Sequence, residues 1–173
     1  MKLKIYEIAL YGMLGALMFG SKIIMDLLPN IHLIAVLIIT FTLTFGIKAL
    51  YPTYIFVFIT GLFSGFATWW IPYLYIWLVP LLLTLAVKNH LPKNPLASAL
   101  ILQFICFFSG ISYGTFYAPS QAILYGMNFD ATISWIIAGL PFDLIHGISN
   151  FVCGALILPL VAILKKAIKL NKR

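Results

Sequence analysis

Residues 31–68 read IHLIAVLIITFTLTFGIKALYPTYIFVFITGLFSGFAT, and the one charge among them is Lys48. On either side of it lie two apolar runs, 31–47 and 52–68. Each is about 17 residues, or roughly 26 Å as a straight helix, just enough to cross a hydrocarbon core with aromatic or snorkelling ends. Working outward, the same pattern returns at about 5–28, 70–87, 96–117 and 141–164. Six spans are therefore expected. Pro29-Asn30 breaks the first span and leaves almost no loop before the second, which predicts a tight hairpin.

The cationic residues fall in alternate connections. Lys48 lies between spans two and three, and Lys88 and Lys93 lie between four and five. Both tails are basic as well, with Lys2 and Lys4 at the start and Lys165, Lys166, Lys169, Lys172 and Arg173 at the end. An even number of spans with basic ends places both termini in the cytoplasm, because positive charge resists translocation. The expected fold is an all-α integral membrane protein, one domain over 1–173, with six transmembrane helices in a bundle. The segment 118–140 is the one long outer connection, and its apolar part suits an interfacial helix or a lid.

Composition agrees with this class. Of 173 residues, 63% are hydrophobic and 9% charged, and the mean hydropathy is +1.08. A soluble domain needs more charge than that. The net charge of +7 sits almost wholly on the cytoplasmic side, where orientation and anionic headgroups account for it, so no nucleic-acid partner is expected. Cys106 and Cys153 fall within apolar spans and lack metal-ligand or redox spacing, which makes them small buried hydrophobes. The first apolar run is too long for a signal-peptide core and is expected to remain as a span.

The other polar residues gather toward the outer mouth. Lys22 and Asp26 are four apart and can meet on one helical face, with Asn30 just beyond. Asp143, His146 and Asn150 form a second stripe at i, i+3, i+7. Pro141 suits a helix's first turn and Asp143 can compensate the dipole there, but a deep imidazole and amide need partners, from neighbouring helices or a ligand. Trp69, Tyr73 and Trp77 recur at i, i+4, i+8, with Trp70 and Tyr75 beside them. An interfacial belt accounts for Trp69 or Trp70, whereas Trp77 lies about 12 Å deeper and reads as a wall for a flat ring. Ser112, Tyr113, Tyr117, Asn128 and His32 are further candidates for the same cavity; His90 reads as solvated. One Lys against three Asp (Asp26, Asp130, Asp143) in the outer half favours a neutral or partly cationic cargo over a strongly anionic one.

Gly12, Ala16 and Gly20 share one face of span one. Such a face lets another helix approach closely, either inside the bundle or on a second membrane subunit. The chain has no P-loop and no H-E-x-x-H. Gly61-Leu-Phe-Ser64-Gly65 departs from G-x-S-x-G, and Ser64 reads as a packing residue. An intramembrane serine hydrolase pairing Ser64 with His146 is an alternative, as is a solitary gradient-driven carrier; no catalytic, metal or cofactor site is expected.

Three patches carry a family resemblance: SKIIMDLLPNIHL (21–33), GFATWWIPYLYIW (65–77) and GLPFDLIHGISN (139–150). With the size, span count and long fifth loop, the chain resembles the substrate-binding S component of energy-coupling factor (ECF) transporters, the vitamin importers of bacteria and archaea. The resemblance implies a multi-pass protein of a prokaryotic cell membrane that binds a vitamin or its precursor. It also implies a complex with a transmembrane coupling subunit and two cytoplasmic ATPase subunits, which use the ATP. The loaded subunit would topple within the bilayer to deliver its cargo. The family's docking pattern is two alanines four apart, where this chain has Gly12, Ala16 and Gly20. Family sites lie at the outer helix ends and in loops one, three and five. The ligand residues of its vitamin-specific subfamilies do not map onto this chain.

Overall fold

A computed structural model of the chain describes residues 3–28 and 30–170; Lys2, Pro29, Lys172 and Arg173 lie outside the described residues. Among these, all regular structure is helical: α1 (Ile5–Met25), α2 (Ile34–Phe45), α3 (Leu50–Ser64), α4 (Tyr73–Ile76), α5 (Leu78–Val87), α6 (Pro95–Ile111), α7 (Tyr113–Tyr125), α8 (Phe129–Cys153) and α9 (Ile157–Leu170), with short 3-10 turns between some of them. Helices satisfy their own backbone groups, which is what an apolar surrounding demands. Buried threonines follow the same rule by bonding back to the carbonyl four residues earlier: Thr42 to Ile38, Thr53 to Ala49, Thr60 to Phe56 and Thr84 to Pro80, at 2.6–2.8 Å.

Five helical stretches are long and apolar enough to cross a membrane: Ile5–Met25, Ile34–Ser64, Thr68–Val87, Pro95–Tyr125 and Phe129–Lys169. Six spans were expected. The difference arises because residues 46–49 form a 3-10 turn rather than an open loop, which joins α2 to α3. That stretch is not a straight rod. Gly46 has φ +64° and ψ −136°, a conformation open to glycine and costly for other residues. Beyond it α3 runs parallel to α1: Tyr11 stacks on Tyr51 at 5.6 Å, Gly15 faces Pro52 and Ile55, and Phe19 meets Phe63 at 5.3 Å.

The segment 118–140, expected as a long connection, is helical except at Gly126–Asn128. Gly126 closes α7 in the left-handed region, and the Asn128 side chain accepts the Ala131 N–H at 2.8 Å to start α8. Pro141, which reads as a first-turn residue, lies inside α8, as Pro119 lies inside α7. Pro141 is therefore not a first-turn residue, and α8 begins twelve residues earlier than span six was placed.

α2 forms the centre of the bundle: every residue from Ile34 to Thr42 is buried. It packs on α5, α6 and α9, while α6 and α8 form the most extensive helix pair. Their backbones touch through glycines. A Cβ built on Gly110 would lie 2.7 Å from the Gly147 Cα, and one on Gly154 would lie 3.0 Å from Gln103. Small residues let two helices gain packing energy that lipid cannot supply.

Cationic residues converge at one end. Lys48 Nζ meets Glu7 Oε1 at 2.5 Å, and Lys88 Nζ lies 3.1 Å from where a Gly46 Cβ would stand. Glu7, Tyr11, Thr44, Lys165 and Lys169 line one cavity there, of about 340 Å³.

Candidate functional site

The opposite end holds a cluster of histidine, tryptophan, tyrosine and asparagine assembled from four parts of the chain. The α1–α2 connection brings His32. Asn30 adopts φ +60°, tolerable for asparagine, and its carbonyl accepts the Ser149 hydroxyl at 3.0 Å, which ties the connection to α8. His32 then lies edge-on to His146, ring centroids 4.4 Å apart.

Trp77, at the junction of α4 and α5, packs its ring near His32 (6.1 Å), Tyr113 (6.1 Å), Phe56 (5.9 Å) and Tyr73 (5.3 Å). Tyr113, first residue of α7, lies 5.2 Å from His146 and 5.7 Å from Tyr117. Tyr117 in turn stacks on Trp135 at 6.1 Å and donates its hydroxyl to the Trp69 carbonyl at 3.1 Å. The walls of the cluster are thus mostly rings. The glycine contact at Gly110–Gly147 draws α8 against α6, which sets His146 beside Tyr113.

The polar atoms inside these walls are the unusual feature. His32 Nδ1, Trp77 Nε1, His146 Nε2 and both amide atoms of Asn150 are buried without a hydrogen-bond partner, as is Thr40 Oγ1 on α2. Trp77 and His146 are each 5% exposed and Asn150 is 1% exposed. An unpaired buried polar group costs about 1–3 kcal/mol, so the five atoms on His32, Trp77, His146 and Asn150 are a concentrated expense that packing alone does not require. The other buried threonines in the bundle are satisfied within their own helices.

Of the residues expected to form the site, Trp77, Tyr73, Tyr113 and His146 come together. Asn150 lies one turn below His146 on α8, and Trp69 joins at the rim through Tyr73, 5.4 Å away. Others are committed elsewhere. Trp70 donates its indole N–H to the Val57 carbonyl at 2.8 Å and sets its ring against Phe66. Lys22 and Asp26 pair with each other at 3.1 Å on the surface of α1. Asp143 shares the amide N–H of Gly114 between its two oxygens, at 3.1 and 3.0 Å, so it caps α7 rather than its own helix. Asn30 takes part through its carbonyl.

Gly12, Ala16 and Gly20 face outward. A Cβ on Gly12 or Gly20 would meet nothing within 4 Å, and the small residue of α1 packed inside the bundle is Gly15, against α3. Ser64 is exposed at the end of α3 and makes no hydrogen bond to a histidine among the described residues. No group of three His, Cys, Asp or Glu side chains there is placed to hold a metal ion.

The sequence did not single out the central place of His32, nor the glycines that close the α6–α8 and α7–α8 contacts. The histidine pairing spans most of the chain, so no short motif records it. The His146-Gly147 dipeptide is the one local hint. Compared with family models, curated proteins and solved structures, the chain matches none.

Proposed function

We propose that the chain is the substrate-binding subunit of an importer of the energy-coupling factor type, capturing a vitamin-like ring compound and passing it inward. One observation carries this reading: the ring-walled cluster of His32, Trp77, His146 and Asn150, whose buried polar atoms lack partners in the protein. Binding sites are built this way, with apolar walls and a few convergent polar groups. A ligand that pairs those groups recovers their desolvation cost.

Two further features support it. The basic end of the bundle lies opposite the cluster, which suits a cytoplasmic anchor and an outward-facing site. The convergence of Glu7, Lys48, Lys88, Lys165 and Lys169 also favours six crossings, with the turn at 46–49 as the reversal between the second and third. Both termini then lie in the cytoplasm of a prokaryotic cell. The outward face of Gly12, Ala16 and Gly20 is free to receive a transmembrane coupling subunit, and two ATPase subunits supply the energy. The chain itself is not an enzyme in this reading.

The test is purification from the native membrane under mild conditions. The expected result is recovery of coupling and ATPase subunits together with a small molecule identified by mass spectrometry. Uptake that persists without ATPase subunits would point instead to a solitary carrier. Hydrolytic activity lost in Ser64→Ala would point to a hydrolase.

A further inference from the structure

The charges around the cluster narrow what it can accept. Asp143 is engaged by the start of α7, and Lys22 and Asp26 neutralise each other on the surface of α1. Asp130 is exposed in the first turn of α8. The one cation near the cluster, Lys22, is thus already paired, whereas the buried Asp143 carboxylate has only a backbone N–H for a partner. An anionic ligand brought here would lose its water without gaining a counter-ion, which is far costlier than burying a neutral group.

The unpaired atoms also set a hydrogen-bonding pattern. Trp77 Nε1 can only donate, whereas the Asn150 amide offers two donors and an acceptor, and His32 Nδ1 and His146 Nε2 each donate or accept according to the tautomer. The complement is a molecule that carries an acceptor beside a donor. The groups around the unpaired atoms are aromatic rings in contact with one another, 5.2–6.1 Å between centroids, and the partner that packs best among such rings is another ring. Resting on the binding reading above, we infer that the site takes an uncharged planar nitrogen heterocycle with an amide or lactam edge and rejects its anionic relatives.

The probes are nicotinamide, uracil and lumichrome, which are neutral with such an edge, against the anions nicotinate and orotate. Binding is read by ligand-observed NMR on the full chain in lipid nanodiscs at neutral pH. At least one neutral probe should bind about tenfold or more tightly than its charged counterpart. That binding should fall about tenfold in Trp77→Phe, which keeps the ring and removes the donor, and in Asn150→Leu, which removes the amide. Equal or tighter binding of the charged probes overturns the inference, as does binding unchanged in both variants or no binding of any neutral probe. None of these outcomes decides the importer reading, which stands or falls on the molecule and subunits recovered from the native membrane.

Discussion

Asp143 and Gly114 join α8 to α7 through one shared amide hydrogen, held by both carboxylate oxygens. A methyl group on Gly114 would run into that carboxylate. The acid therefore acts across a helix pair, where it stabilises the positive end of α7. Asp143→Ala should leave the buried N–H unpaired and lower stability by about 1–3 kcal/mol. Asp143→Asn, which keeps an acceptor, should lose less, and Gly114→Ala should resemble the alanine variant. Thermal melting of the purified protein checks the order; an Asp143→Ala melt at the native temperature sinks this account.

Asn150 should behave in the opposite way. Its amide is buried and unpaired, so replacing it with leucine removes a desolvation penalty rather than a bond. Ligand-free Asn150→Leu should melt at or above the native temperature, with a gain of up to about 1–3 kcal/mol. A clear loss of stability would show that the amide serves the fold.

Glycines on the two sides of the bundle should answer differently to substitution. Gly110→Ala forces apart two backbones in contact, 2.7 Å from its new methyl group, and should cost about 1–3 kcal/mol by overpacking, whereas Gly147→Ala, whose methyl group meets Ile111 and Phe107 at 3.2 Å, should cost less. Gly12→Leu and Gly20→Leu enter open space, so the isolated protein should melt normally. If the outward face docks a partner, the leucine variants should recover much less of the coupling subunit on co-purification. Normal recovery assigns that face to lipid.

Sidedness is open to a direct test in cells. In a background lacking Cys106 and Cys153, Lys48→Cys should react with an impermeant thiol reagent only from the cytoplasm, and Asp26→Cys only from outside. The reverse pattern would turn the cluster inward and remove the capture role.

Much of the fold was legible because hydropathy and charge are local properties. The apolar runs, the break near Asn30 and the basic end all follow from neighbours in sequence. The stretch from 118 to 140 was not. Pro141 reads as the first turn of a helix, yet α8 runs through it, since packed neighbours compensate one missing backbone bond. For the site, the stripe of Trp69, Tyr73 and Trp77 and the pair His146 and Asn150 could be read from helical spacing. Trp70 could not be separated from Trp69 that way, because its partner is the Val57 carbonyl on another helix. The same limit left His32 one candidate among several, because its neighbour His146 comes only in α8. Asp143 was legible as a cap but assigned to the wrong helix.

The enclosure of α2 has a consequence for how the molecule comes to exist. A helix buried from Ile34 to Thr42 takes its surroundings from protein rather than lipid. Its neighbours α5, α6 and α9 are all synthesised later. When it leaves the ribosome it can only wait in the bilayer, and its final environment closes as the last of them arrives. Biogenesis should therefore end in a late annealing of helices already inserted, and nascent chains stopped before α9 should expose to lipid-borne crosslinkers a surface that the finished protein hides.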